Sequence, residues 1–161
     1  MIESIRYMSI YDAYKIIKNL SEDLKESTLL ISIREPTVDL NNDTFPYDNL
    51  YKKNLLILQF DDVSESEIRN IESKLSPNFY KLFDDLMASD IVNFIDSTYS
   101  NPVNCNLIIH CHAGISRSAS IYMILCKVLE LPYNENYIMH NKHVYNKLYK
   151  MIYGFDLYGY K

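Results

Sequence analysis

The residues best suited to chemistry lie in the stretch LIIHCHAGISRSAS, residues 107–120. A run of apolar residues ends at His110-Cys111, Arg117 follows six residues after the cysteine, and a helix-like apolar segment comes next. A cysteine in this position can be a buried structural thiol, a metal ligand or a nucleophile. Each interpretation requires something different from the residues around it.

A structural role explains the other two cysteines of the chain. Cys105 opens the same apolar run, and Cys126 lies on the apolar side of the helix predicted to follow. Free cysteine is commonly buried and packs as a small apolar residue. We therefore expect Cys105 and Cys126 to be structural thiols.

A zinc site is suggested by the order His110-Cys111-His112, but the spacing opposes it. Adjacent residues rarely bind one ion together, and no C-x-x-C or H-x-x-x-H pair occurs elsewhere. His140 and His143 have no matching carboxylate or cysteine pattern, and we interpret them as surface histidines. We therefore expect no metal and no cofactor.

The third interpretation, a nucleophile that faces a phosphate, uses every polar feature of the stretch. A thiol with an ordinary pKa of about 8.5 must be activated before it attacks. The loop 112–117 can turn its backbone N–H groups inward as an anion-binding concavity, and the next helix directs the positive end of its dipole there. Arg117 can bind two phosphate oxygens through its forked guanidinium, and Gly114 permits a tight turn or a close backbone approach.

Cleavage of a phosphate ester also needs an acid for the departing oxygen and a base for water. Asp61 and Asp62, in LILQFDDVSESE, directly follow the second predicted strand. In a parallel sheet they would lie at the same edge as Cys111. The alternative is that they cap a helix predicted to begin near Ser64, because acidic residues favour helix N-termini.

The surrounding segments alternate between short apolar runs and helical patterns. Residues 28–33, 54–60 and 105–110 are typical of buried strands, and residues 34–49 have the composition of a loop. Helical spacing and capping signals predict helices after Ser9, near Ser64, at Ser76-Pro77, after Arg117 and before Gly154. We predict an α/β fold with a central, mainly parallel sheet of four to five strands flanked by helices, in one domain over residues 1–161.

Composition and charge limit the classes of function. The chain has 161 residues, is 48% apolar and 23% charged, and carries a net charge of −5, as is typical of soluble globular proteins. An acidic chain is not typical of nucleic-acid binding, although a local positive site can still bind an anion. The sequence shows no signal peptide and no membrane span, and its three cysteines suggest a reducing compartment. We expect a cytoplasmic protein without membrane or nucleic-acid partners; its oligomeric state is not indicated.

HCHAGISRS, residues 110–118, resembles the signature of the cysteine-dependent protein tyrosine and dual-specificity phosphatases: His-Cys, five residues, Arg, then Ser or Thr. The histidine before the cysteine, the glycine three residues after it and the strand-loop-helix setting all match. AGISRSA is close to the form common in dual-specificity enzymes and their small bacterial-type relatives. The close match covers residues 107–126, and the rest resembles the family in the order of its elements and in the upstream aspartate.

The resemblance implies a protein phosphatase that hydrolyses phosphotyrosine, with phosphoserine and phosphothreonine open as further substrates. Cys111 would attack phosphorus to give a phosphocysteine intermediate, while Arg117 holds the phosphoryl oxygens. The family takes its acid from an aspartate some tens of residues before the cysteine. In related sequences it directly precedes Val, Ile or a small polar residue, so Asp62 is preferred to Asp61.

The same resemblance implies roles for the residues around the nucleophile. His110 would organise the loop and help to keep the pKa of the thiol low. Ser118 would donate a hydrogen bond to the sulfur and help it to leave in the second step. The phosphate-binding residues would be His112, Ala113, Gly114, Ile115, Ser116 and Arg117.

Three alternatives stay open. The loop between Cys111 and Arg117 contains no Lys, unlike phosphoinositide-type relatives, and the acidic net charge opposes an RNA 5′-triphosphatase. A weakly active phosphopeptide-binding module would use the same pocket, but the presence of Cys111, Arg117, Ser118 and an upstream aspartate favours an enzyme.

Residues 131–154 lack the Arg- and Pro-containing stretch of cellular dual-specificity enzymes, so they are nearer to bacterial-type members.

Overall fold

Four parallel strands form the centre of the computed structural model, which describes residues 1–63, 66–69, 80–99 and 103–154. The strands are β1 (Ile2–Ser9), β2 (Thr28–Arg34), β3 (Leu55–Gln59) and β4 (Cys105–Cys111). Their order is β1-β4-β2-β3, so β4 has a parallel neighbour on each side. The predicted α/β class and the predicted parallel sheet are confirmed, with four strands.

Helices cover both faces of this sheet. They are α1 (Ile10–Lys18), α2 (Glu22–Lys25), α3 (Asp85–Tyr99), α4 (Arg117–Val128) and α5 (Lys142–Tyr153), and residues 66–69 are also helical. Side chains alternate across a strand, so Leu107 and Ile109 pack in the core formed with α3, α4 and α5, whereas Ile108 packs against α1. Burial on both faces explains the three consecutive apolar residues 107–109 of β4.

The strand β1 is absent from the sequence-based assignment, which begins with α1. Its burial alternates irregularly, its pairing with β4 shifts register between Ile2 and Ser4, and it lies at an edge of the sheet. The predicted capping of α1 is confirmed, because Ser9 Oγ accepts a hydrogen bond from the Asp12 backbone N–H at 3.2 Å. The chain therefore passes from strand to helix at Ser9 without a linker.

The helix predicted from Ser76-Pro77 onward begins later, at Asp85, and Ser76-Pro77 itself lies outside the described residues. Residues 80–84 are not helical because Lys81 pairs with the chain after β3. The Asp61 N–H donates to the Lys81 carbonyl at 2.8 Å, and the Lys81 N–H donates to Asp61 Oδ2 at 2.7 Å. Asp84 then caps the helix by accepting from the Met87 N–H at 2.9 Å.

Two further helix boundaries were predicted, the start of a helix near Ser64 and the end of the last helix at Gly154. Ser64 lies outside the described residues, although residues 66–69 of the helix predicted to begin there are helical. The end of the last helix is confirmed: Gly154 adopts a left-handed conformation with φ of 76° and donates to the Lys150 carbonyl.

Candidate active site

The candidate site lies where β4 ends in the middle of the sheet. Cys111 is the last residue of β4, Arg117 is the first residue of α4, and residues 112–116 between them form a turn that we call the cradle loop. The Cys111 side chain is buried, with 2% of its surface exposed, and its Sγ lies 3.2 Å from Ser118 Oγ. The carboxyl end of a central parallel strand thus meets the N-terminus of a helix, a place that favours anions.

Cys111 has an unusual protonation equilibrium for a buried thiol. Burial alone would raise its pKa, but hydrogen bonds from Ser118 Oγ and from the backbone amides of Ser118, Gly114 and Ile115 stabilise the thiolate. Together these donors outweigh burial, so the pKa of Cys111 lies below its ordinary value. Donors that stabilise a thiolate also suit the oxygens of a phosphoryl group, which carry the same sign of charge.

The inner half of the cradle loop is supported by the end of β1. The Ile10 N–H donates to the His112 carbonyl at 3.2 Å. Gly114 has φ of 70°, and a Cβ at this position would lie 2.3 Å from the carbonyl carbon of Met8 and from the nitrogen of Ser9. Glycine is therefore required here for two reasons, the left-handed backbone and the close approach of β1.

The outer half of the cradle loop is supported by the segment before α5. Tyr137 Oη donates to the Ile115 carbonyl at 3.0 Å, and the Asn141 N–H donates to the Ser116 carbonyl at 3.3 Å. Because these two carbonyls accept hydrogen bonds from outside the loop, the N–H groups of the loop can point inward. The cradle loop is thus held open by contacts that are distant in sequence.

The guanidinium of Arg117 is held in place from two sides. Its side chain is 3% exposed, Nη1 donates to the Phe60 carbonyl at 2.7 Å, and Nη2 donates to Glu35 Oε1. Nε is buried, has no hydrogen-bond partner among the described residues and lies 3.9 Å from Asp62 Oδ2. One N–H of a fixed cation is therefore available to an additional acceptor.

The two adjacent aspartates after β3 are placed differently. The carboxylate of Asp61 is bound to the Lys81 backbone, as described above. Asp62 instead reaches the cradle loop, where its Oδ1 accepts from Ser116 Oγ and from Asn141 Nδ2, each at 2.8 Å. The structure therefore brings Asp62, and not Asp61, to the cradle loop and to Arg117.

His110 packs beneath the cradle loop. Its side chain is fully buried, its ring stacks on Phe45 at a centroid distance of 4.9 Å, and neither ring nitrogen has a hydrogen-bond partner among the described residues. Burial, together with the positive charges of Arg34 and Arg117, lowers the pKa of His110 to about 4. The imidazole is therefore neutral at pH 7 and contacts its surroundings chiefly by packing.

Glu35, Tyr137 and Asn141 contribute to the site but are absent from the sequence-based set. Asn141 joins several parts: its Nδ2 also donates to the Val63 carbonyl at 3.1 Å, and its Oδ1 caps α5 by accepting from the Val144 N–H. A cap signal at Asn141 was detectable, because Asn before a helical pattern favours an N-cap. Glu35 directly follows β2, so the rule that ligands meet the carboxyl ends of strands points to it. No sequence signal distinguishes Tyr137.

His140 and His143, which were predicted to be surface residues, are only partly exposed. Each ring contacts a backbone carbonyl, that of Tyr137 and that of Phe83 respectively. Within the described ranges, no group of three or more His, Cys, Asp or Glu side chains is placed to hold a metal ion. Among the same residues, no helix combines the length and apolar character needed to cross a bilayer.

Comparison with known proteins gives a likeness to solved structures. No protein-family model matches the chain, and no curated protein sequence matches it. Among solved structures, the chain is similar to the crystal structure of the Cydia pomonella PTP-2 phosphatase. That similarity has a TM-score of 0.47 and 12% sequence identity, and it covers 94% of this chain and 75% of that chain. The function is therefore inferred from the geometry of the site.

Proposed function

We propose that the protein is a cysteine-dependent phosphatase that hydrolyses phosphotyrosine in proteins or peptides, with phosphoserine and phosphothreonine as further candidate substrates. The observation that carries this proposal is the Cys111 thiol, whose pKa is lowered although it is buried. A structural thiol gains nothing from such an environment, whereas a nucleophile requires it. The HC-x5-R-S signature of residues 110–118 supports the same function.

In the first step, the cradle loop and Arg117 bind the phosphoryl oxygens. The thiolate of Cys111 attacks phosphorus, and the bond from phosphorus to the ester oxygen breaks. The departing oxygen takes a proton from the carboxyl group of Asp62, which leaves a phosphocysteine and an Asp62 carboxylate. The free Nε–H of Arg117 supplies a donor to the transferring group, in addition to the loop amides.

In the second step, the Asp62 carboxylate accepts a proton from water, and the oxygen of that water attacks phosphorus. The phosphorus–sulfur bond breaks, inorganic phosphate leaves, and Cys111 returns to the thiolate. Ser118 Oγ, 3.2 Å from Sγ, supports the sulfur as it takes up negative charge. Asp62 thus acts first as an acid and then as a base, which suits a carboxylate that lies beside the loop rather than one bound to Lys81.

The alternative functions use the same pocket with other ligands. A phosphopeptide-binding module would need the donors of the loop but no thiolate, so the lowered pKa of Cys111 favours an enzyme. A phosphoinositide or an RNA 5′-triphosphate would add negative charge beyond the phosphoryl group. The cradle loop offers no lysine to such a ligand, and Asp62 lies at its side.

Turnover of para-nitrophenyl phosphate by the wild type and by two aspartate variants tests the proposal. We expect Asp62→Ala to slow turnover by about 10²–10⁴-fold, the usual contribution of a general acid, while phosphate binding is kept. Asp61→Ala is the matched control, and it should retain turnover. An inactive Asp61→Ala beside an active Asp62→Ala would show that the acid is assigned to the wrong residue.

Two further results would contradict the mechanism or the substrate class. Activity that depends on added metal and survives Cys111→Ser would exclude a cysteine nucleophile. Peptides with phosphotyrosine, phosphoserine or phosphothreonine, a 5′-triphosphate RNA and a phosphoinositide, assayed in parallel, test the substrate. We expect the phosphotyrosine peptide to have the highest kcat/KM.

A further inference from the structure

Three exposed apolar side chains belong to the cradle loop and to the segment that hydrogen-bonds to it. Ile138 is 81% exposed, Met139 is 59% exposed and Ile115 of the cradle loop is 45% exposed. Single exposed apolar residues are common on protein surfaces, but a cluster at a cleft marks a binding site more often. We call these three residues the apolar rim.

The apolar rim is fixed relative to the cradle loop. The Tyr137 hydroxyl, directly before Ile138, donates to the Ile115 carbonyl, and the Asn141 N–H donates to the Ser116 carbonyl. These two hydrogen bonds hold the chain on either side of Ile138 and Met139 against the loop. The rim is therefore preorganised, which lowers the cost of binding a ligand there.

The apolar rim is also continuous with the catalytic groups. Ile138 and Met139 line a cavity of about 450 Å³, and Asp62 and Ser116 line the same cavity. Asp62 and Ser116 are also groups of the candidate active site, where Ser116 Oγ donates to Asp62 Oδ1. Under the proposed function, a peptide whose phosphate binds in the cradle loop presents its neighbouring residues beside this cavity.

We propose that the apolar rim binds a large apolar side chain next to the phosphorylated residue of a peptide substrate, and so determines which phosphorylated sites are chosen. The inference rests on the proposed phosphatase function. The Asp62 carboxylate lines the same cavity, so an acidic neighbour would approach a like charge, whereas an apolar neighbour would not.

The test compares the double variant Ile138→Ser/Met139→Ser with the wild type on three substrates. They are a phosphotyrosine peptide with leucine on both sides of the phosphotyrosine, the same peptide with glutamate on both sides, and para-nitrophenyl phosphate. Each kcat/KM for a peptide is divided by that for para-nitrophenyl phosphate, which corrects for any loss of folded protein. Leu86→Ser, at a residue of α3 that is 76% exposed, is the matched control.

We expect the double variant to lower the ratio for the leucine peptide about tenfold, which equals about 1.4 kcal/mol. The ratio for the glutamate peptide and both ratios of Leu86→Ser should stay near wild type. An unchanged leucine ratio, or equal losses on both peptides, would overturn the proposal while turnover of para-nitrophenyl phosphate upholds the phosphatase function. A wild type that does not turn over para-nitrophenyl phosphate would overturn both.

A membrane surface is the alternative partner for the apolar rim. Vesicle binding distinguishes it from a peptide. Wild type and double variant are mixed with vesicles of phosphatidylcholine that contain a phosphoinositide, and the bound fraction is measured by sedimentation. We expect no difference between the two proteins. Vesicle binding that is lost in the double variant, together with an unchanged leucine ratio, would assign the rim to membranes and overturn the peptide proposal.

Discussion

The two ends of β4 carry the same residue type, with pKa values shifted in opposite directions. Cys105 begins the strand and Cys111 ends it, and both side chains are almost completely buried. Burial raises the pKa of Cys105, whose thiol donates to the Val103 carbonyl at 3.4 Å. The pKa of Cys111 is lowered, because its sulfur faces donors instead of an acceptor.

The difference shows that burial alone does not decide the reactivity of a cysteine. Cys126, inside α4, is also buried, and burial raises its pKa more than a hydrogen bond with Tyr122 lowers it. At Cys111 the end of a parallel strand meets the N-terminus of a helix, and the cradle loop adds inward N–H groups. Position in the sheet, rather than residue type or burial, distinguishes the three thiols.

Replacement of the cysteine at each end of β4 gives the largest expected contrast. Cys111→Ser should lower turnover of para-nitrophenyl phosphate by at least about 10⁴-fold, because the covalent nucleophile is lost. Cys105→Ser should retain turnover, since that thiol only packs and donates to a carbonyl. Steady-state kinetics of both variants measure this difference. Comparable losses of turnover in the two variants would show that Cys111 has no special role.

Alanine at Gly114 tests whether the cradle loop needs the close approach of β1. The new Cβ would collide with the backbone of Met8 and Ser9 at 2.3 Å, in addition to the strain of a left-handed conformation. We expect the free energy of unfolding to fall by more than about 3 kcal/mol, with loss of turnover.

The control for Gly114→Ala is Gly154→Ala, at the end of α5. Gly154 has a similar φ of 76°, but among the described residues a Cβ there would meet nothing within 4 Å. It should lose only about 1 kcal/mol of stability, the cost of the left-handed backbone. Urea unfolding of both variants measures the difference, and equal losses would show that contact with β1 does not matter.

The lowered pKa of His110 predicts that the protein loses stability in acid. Its pKa in the folded protein is lowered from 6.5 to about 4, so the unfolded chain binds a proton in this range that the folded chain does not. Stability therefore falls as the pH decreases from 6.5 to 4, by up to about 3 kcal/mol. Urea unfolding of wild type and of His110→Phe at pH 7 and pH 4.5 should show a smaller loss in the variant. Identical pH dependence would mean that His110 is protonated in the fold.

The smallest expected effect is a shift in the pKa of Cys111 when the Ser118 hydroxyl is removed. Loss of its hydroxyl in Ser118→Ala removes one donor to the sulfur, so the pKa of Cys111 should rise while the loop amides remain. The pH at which iodoacetamide alkylates Cys111 at half its maximal rate should move upward. Ser120→Ala is the control, because Ser120 Oγ donates to the carbonyls of Ser116 and Asn141 and not to the sulfur. A shift of equal size in both variants would assign the effect to the loop as a whole.

Sequence patterns predicted the elements whose signals are local. The apolar runs of β2, β3 and β4, the cap at Ser9 and the end of α5 at Gly154 each follow from neighbouring residues. Strand β1 was missed because an edge strand needs no continuous apolar pattern, and its partner β4 is about a hundred residues away in sequence. The start of α3 was placed too early because the pairing of Lys81 with Asp61 is a tertiary contact.

The sequence by itself predicted the strand-turn-helix arrangement of residues 110–118, since a glycine lies between an apolar run and a helical pattern. Tertiary structure decided what surrounds that turn. Glu35 contacts Arg117 across 82 residues of sequence, and Asn141 contacts Asp62 across 79, separations over which no periodicity carries information. It also gave different partners to Asp61 and Asp62, which are adjacent and chemically identical, because the Asp61 carboxylate accepts from the Lys81 N–H and the Asp62 carboxylate accepts from Ser116 of the cradle loop.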